Sequence, residues 1–203
     1  MQSVESESLR EQCVRRWTGL RAAREAFPAH RGVWPDEDTP TILARLCPGY
    51  VCEVGCGTGR CAEAFSCDGY VGVDINPNAI DLARQARPLH MFMVVAWSDK
   101  YPPADTYLFH TTAQHVPDGE LQSVFVRCHG RIVIVECMEP VLRGRIPSNL
   151  AFHRSREDYE HALERAAFHV KHFEEHPTNY QLAWPGAPTL YRRAIVAEPI
   201  GGR

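Results

Sequence analysis

The segment YVCEVGCGTG places a carboxylate, Glu53, near the end of an apolar run and follows it with Gly55, Gly57 and Gly59. Glycines there let the backbone bend sharply and come close to a bound polar molecule. Further along, YVGVDIN ends a second apolar run at Asp74, whose carboxylate can accept two hydrogen bonds from neighbouring sugar hydroxyls. A third set of chemically capable residues follows DTYLFHTTAQH and RIVIVE: His110, His115 and Glu136. An imidazole or carboxylate within hydrogen-bond reach can take a proton from a phenol, alcohol or protonated amine as it becomes a nucleophile. His115 is the first choice for that base because TTAQHVPD lies beyond the strand. Glu136 is the second, either directly or by orienting a histidine, while strand alternation makes His110 a packing residue.

These groups meet only if the runs that carry them are neighbouring strands of one sheet. Tyr50 to Val54 reads as a buried strand, Arg60 to Phe65 as the next helix, and YVGVDIN as a second strand. Pro77 starts a helix with Ile80, Ala83 and Ala86 on its buried side. MFMVVAW and DTYLFHTT supply strands three and four, Asp118 caps a helix burying Leu121, Val124 and Phe125, and RIVIVE is strand five. Ser155 and Asp158 form a capping box for a helix burying Tyr159, Ala162, Leu163 and Ala166. Phe168 to Phe173 and Leu190 to Val196 make a final antiparallel hairpin across NYQLAWPGAP. Alternating strands and helices predict a doubly wound, mostly parallel α/β sheet. Ahead of it, Leu9, Cys13, Trp17 and Leu20 recur at helical spacing with Phe27 nearby, and Thr39-Pro40 opens a short helix after PAHRGVWPDED.

Length and composition narrow the class. The chain has 203 residues, 44% hydrophobic and 23% charged, which suits one folded domain over 1–203 with residues 1–46 as a helical cover. Its formal charge of -3 argues against a broad polyanion-binding surface, so nucleic acid is not the expected partner. The start MQSVESESLREQC has no signal-peptide core and no later stretch has the length of a membrane span, so a reducing cytoplasmic setting is expected. The eight cysteines are dispersed over strands, turns and helices rather than paired at zinc-site spacing, and no metal is expected.

A dinucleotide fingerprint GxGxxG starting at Gly55 would need glycine at position 60, where the chain has Arg60. Instead, VCEVGCGTGRCAEAF and VGVDINPNAIDLAR resemble the cofactor site of the Rossmann-like class I methyltransferases that use S-adenosylmethionine. The resemblance spans roughly residues 40 to 197. It implies a seven-stranded sheet with an antiparallel terminal strand, and transfer of a methyl group to oxygen or nitrogen of a small organic acceptor. It also implies roles: Gly55, Cys56, Gly57 and Gly59 near the methionine part of S-adenosylmethionine, Asp74 on the ribose, and Glu53 beneath the turn, organising backbone donors or a polar cofactor group. Ile75, Ala96 and Trp97 would flank adenine, with Thr111 and Thr112 beside the methionine part. The chain departs from many relatives in delaying the carboxylate after strand three to Asp99. Alternatives from other classes are an NAD-dependent oxidoreductase, which lacks a YxxxK pair here, and a noncatalytic S-adenosylmethionine-binding interaction domain. Acceptor contacts are expected in EPVLRGRIPSNLAFHRSRED through Arg143, Arg145, His153 and Arg154, and from Tyr180 and Trp184. TTAQH after strand four, in place of an NPPY-like tetrad, argues against a nucleobase or glutamine amino acceptor.

Overall fold

The computed structural model describes residues 8–19, 39–136, 138, 151–177 and 191–201. The chain runs α1 (Leu9–Thr18), α2 (Thr39–Leu46), β1 (Val51–Val54), β2 (Tyr70–Asp74), α3 (Pro77–Ala86), β3 (Met91–Val94), β4 (Thr106–His110), α4 (Asp118–Val126), β5 (Arg131–Glu136), α5 (Arg156–Arg165), β6 (Phe168–Pro177) and β7 (Tyr191–Pro199). Seven strands form one sheet in the order β3-β2-β1-β4-β5-β7-β6. The pairs among β1 to β5 are parallel, whereas β7 runs antiparallel to both β5 and β6.

Each central strand is buried along its length because helices cover both faces of the sheet. On one side Val51, Tyr70, Leu108 and Val133 pack with Ile42, Leu43 and Leu46 of α2 and Ile80 and Ala83 of α3. On the other, Cys52, Tyr107, Phe109, Ile132 and Ile134 pack with Leu121, Val124 and Phe125 of α4 and Tyr159, Ala162 and Leu163 of α5. The chain reverses its winding between β1 and β4, and in such sheets ligands bind outside the carboxyl ends of the strands at that switch point.

Several local expectations are corrected. The helix expected over Arg60 to Phe65 is a single 3-10 turn at Cys61–Ala64, because the glycine turn precedes it and β2 starts only a few residues later. Asp118 does not cap α4: Pro117 holds that position and the Asp118 carboxylate pairs with Arg154 instead. Ala86, the last residue of α3, is exposed, since the stripe of Ala79, Ile80 and Ala83 has already turned away from it. The hairpin strands extend further than the hydrophobic pattern suggests, as β6 carries alternating polar residues along the sheet edge. Ser155 and Asp158 do form the capping box of α5. A second box, Ser8 with Glu11, starts α1, and Asn76 caps α3 through the N–H groups of Asn78 and Ala79. Phe27 and the PAHRGVWPDED interruption lie outside the described residues.

Candidate active site

β1, β2 and β4 end side by side, and the residues that follow them meet. Gly55 and Cys56 both donate their N–H groups to Val73 O, at 2.7 and 3.0 Å, which folds the glycine turn back over the end of β2. Gly57 N–H then donates to Asp74 Oδ2 at 2.8 Å, and Asn76 N–H to Oδ1 at 2.8 Å. Each carboxylate oxygen retains a lone pair for a ligand hydroxyl. Burial raises the Asp74 carboxyl above its ordinary value, and the backbone donors of Asn76, Gly57 and Ile75 pull it back down.

The three glycines do different work. A methyl group on Gly55 would strike the Thr112 side chain and one on Gly59 the ring of Phe92, so both exist for packing within the protein. A methyl on Gly57 would meet no heavy atom of the described residues within 4 Å. Gly57 therefore presents its backbone, at a φ of 54°, to open space beside Asp74. Cys56 is buried, with its thiol turned toward Gly57 O at 3.7 Å.

At the end of β4, Thr112 Oγ1 donates toward Gly55 O at 3.1 Å and His110 O at 3.2 Å, tying this strand to the glycine turn. Thr111 takes a left-handed φ of 55°, a costly conformation for threonine that persists at switch-point turns when the surroundings enforce it. The chain then enters a short 3-10 turn, Ala113–His115. His115 is partly exposed, and its ring lies 4.3 Å from that of Trp17 on α1. At its C-terminal end α1 also accepts a hydrogen bond at Gly19 O from Asn76 Nδ2, 3.1 Å away, so it spans from the Asp74 side of the cleft to the His115 side.

Glu136 sits on the opposite side of that turn. It is 1% exposed, accepts from Gln114 N–H at 2.9 Å with one oxygen and from the Tyr159 hydroxyl with the other. Burial pushes its carboxyl up to about 7 against those stabilising donors. Arg154, 2% exposed, donates to Ala113 O at 2.8 Å, Val116 O at 2.5 Å and Asp118 Oδ1 at 2.8 Å. All three of its nitrogens are thus engaged in holding the turn, and the residue is withdrawn from the expected set of acceptor contacts. His153 is buried as well. Arg143, Arg145, Tyr180 and Trp184 lie outside the described residues.

The remaining sequence candidates are placed as follows. Ile75 and Ala96 are partly exposed at the ends of β2 and β3. Trp97 is half-buried and packs against the sheet core, and Asp99 folds back to accept from Ala96 N–H at 3.1 Å. His110 is buried in strand β4, as alternation predicts. Glu53 points into the layer beneath α2 and α3, where Tyr70 donates its hydroxyl to Oε2 at 2.5 Å. Sequence reasoning missed Asn76, Tyr159 and Trp17, all of which act through partners distant in the chain; only the Asn-Pro step at 76–77 carried a local signal, that of a helix cap.

Residues 51–132 match the methyltransferase-domain family, and that span contains β1 to β4 with the glycine turn and Asp74. The chain has the Rossmann-like class I methyltransferase fold. Among solved structures, it is similar to an S-adenosylmethionine-dependent methyltransferase from Methanosarcina mazei at 18% identity and a TM-score of 0.60, covering 78% of this chain and 96% of that one. Magnesium protoporphyrin IX methyltransferase from Synechocystis PCC 6803, solved with S-adenosylhomocysteine, matches at 16% identity and 0.60 over 96% of this chain and 89% of its own. An O-methyltransferase of neocarzinostatin biosynthesis, solved with S-adenosylhomocysteine and 1,4-dihydroxy-2-naphthoic acid, matches at 17% identity and 0.58. That last match covers 77% of this chain and 50% of the other. No curated protein matches the chain in sequence. No helix among the described residues is long and apolar enough to cross a membrane.

Proposed function

We propose that the protein transfers a methyl group from S-adenosylmethionine to an oxygen or nitrogen of a small organic molecule, with S-adenosylhomocysteine as the product. The observation that carries this reading is the pairing of Gly57, whose backbone faces open space, with the Asp74 carboxylate at the switch point of the sheet. A sulfonium nucleoside fits that donor set: the carboxylate takes the ribose hydroxyls, and the glycine turn leaves room for the methionine part. Gly57, Thr111 and Thr112 line the methionine side, with Gly55, Cys56 and Gly59 holding the turn behind them. Ile75 and Ala96 flank adenine, with Trp97 supporting that side from the core.

The cofactor supplies an electrophilic methyl group; the chain's own residues orient the acceptor and manage its proton. His115 takes the proton from the acceptor hydroxyl or amine. Glu136 serves as a positioning residue, since both its oxygens are committed to Gln114 and Tyr159. Trp17 of α1 lies against His115 and borders that side of the cleft. A compact acceptor agrees with the small molecule in the neocarzinostatin O-methyltransferase and with the modest charge of the chain. The seven described cysteines are all free thiols, in keeping with a reducing cytoplasmic setting.

Mass spectrometry of the purified protein, followed by calorimetry with S-adenosylhomocysteine and with NAD, tests the reading. S-adenosylhomocysteine binding that disappears in Asp74→Ala supports it. NAD binding in its place overturns it, and cofactor binding without methyl transfer to any of a panel of phenols, carboxylic acids and amines favours a noncatalytic binding domain.

A further inference from the structure

Beneath the glycine turn, on the face covered by α2 and α3, three side chains from separate elements converge: Glu53 of β1, Cys61 of the 3-10 turn and His110 of β4. All three are buried, at 2%, 7% and 3% exposure, within a layer that is otherwise apolar. One donor atom from each lies within 4.8 Å of the others, and Cys61 Sγ is 3.4 Å from His110 Nδ1. Around a tetrahedral zinc ion, a sulfur and a nitrogen ligand stand about 3.5 Å apart. The pair is therefore already at ligand spacing, and Glu53 needs only a small movement to complete a face of the tetrahedron.

We propose that Glu53, Cys61 and His110 form a binding site for a divalent cation of the zinc type, serving to clamp the glycine turn onto strands β1 and β4. Thiolate, imidazole and carboxylate are the donor types zinc prefers. With thiolate and carboxylate both ionised, the ligands' two negative charges cancel the dication, with the Arg60 guanidinium nearby favouring both ionised forms. Binding sends the Cys61 thiol proton, and any proton on Glu53, to solvent. Tyr70, whose hydroxyl donates to Glu53 Oε2, fixes the carboxylate as an outer partner of a metal ligand does. A crevice between α2 and the 3-10 turn, lined by Thr39, Leu43, Arg60 and Glu63, borders Cys61. The site lies beneath the cofactor turn rather than in the cleft, so its role is to hold the turn and not to activate the acceptor.

The full-length protein, freed of metal by a chelator, is titrated with cobalt(II) and then with zinc against a chromophoric chelator. The expected result is one metal per chain and a near-ultraviolet thiolate-to-cobalt charge-transfer band. That band is lost in Cys61→Ser and retained in Cys67→Ser, which alters an exposed thiol elsewhere. His110→Gln weakens zinc binding by at least about 100-fold. Glu53→Gln keeps an acceptor for Tyr70, guards against misfolding of the cysteine variant, and weakens zinc at least about tenfold. Absence of the band in the wild type at excess cobalt overturns the proposal, leaving the three groups as a hydrogen-bonded buried network. A band that persists in folded Cys61→Ser overturns it equally.

Discussion

In the proposed function Asp74 and Gly57 divide the cofactor work between a side chain and a bare backbone, and their variants separate the two contributions. Asp74→Ala removes the acceptor for the ribose hydroxyls and releases Gly57 N–H. S-adenosylhomocysteine affinity is expected to fall at least tenfold, at about 1.4 kcal/mol per decade, measured by calorimetry. Gly57→Ala meets no described protein atom, so the variant is expected to fold with about 1–2 kcal/mol lost to its left-handed backbone alone. Its affinity for the cofactor falls by more than that modest loss of stability accounts for, read by calorimetry well below the melting temperature. Gly55→Ala differs: it collides with Thr112 and lowers stability as well as binding. His115→Ala is expected to reduce kcat by about 100-fold or more for a hydroxyl acceptor, with S-adenosylhomocysteine affinity kept. An unchanged kcat removes His115 from the base role. The meeting of the glycine turn with Asp74 was legible because a glycine-rich turn after a strand and a carboxylate ending the next strand are local patterns with a mechanical cause. Which glycine faces the ligand was not legible, since that depends on Thr112 and Phe92 arriving from other strands.

At the scale of elements, the turn after β4 is held from three directions: Glu136 binds Gln114 N–H, Phe152 N–H donates to Gln114 O at 2.6 Å, and Arg154 binds Ala113 O and Val116 O. Arg154→Ala takes the donor from Val116 O, at about 1–3 kcal/mol for a buried group left unpaired, while Ala113 O keeps the N–H of Val116. Asp118 is mostly exposed, so losing its ion pair adds little. The expected outcome is a fall in denaturation midpoint together with a lower kcat, as the 3-10 turn carrying His115 loosens; Arg154→Lys restores one carbonyl contact and recovers part of each. An unchanged midpoint shows that the turn is held without Arg154. Sequence reading offered this arginine as an acceptor contact with a solvated loop as the alternative, and nothing local reveals that its partners lie some forty residues back. The strands and covering helices were legible from continuous apolar runs and helical stripes, since both signals reflect burial on both faces of the sheet. The 3-10 turn at Cys61–Ala64 and the span of β6 were not, because closure distance and edge position set them.

Across the whole molecule, the sheet carries a buried carboxyl on each face, Glu53 under α2 and α3 and Glu136 under α4 and α5, and burial pushes both from 4.5 up to about 7. Asp74 shifts in the same direction. Between about pH 4.5 and 7 the folded chain retains protons that the unfolded chain has released, so unfolding releases protons and stability falls as pH rises through this window. Each shift of this size corresponds to about 3 kcal/mol. Glu174, held down to about 2 by Arg45, His172 and His176, acts oppositely, but its contribution is lost only as pH falls below 4.5 and leaves the upper window untouched. The metal-free protein is therefore expected to be more stable at pH 5 than at pH 7, measured by chemical denaturation in matched ionic strength. Glu136→Gln mimics the protonated carboxyl and should shrink that difference by roughly half, with Glu53→Gln removing a similar share. If both variants keep the full wild-type difference, neither carboxyl titrates in this range, and the donors around Glu136 outweigh its burial.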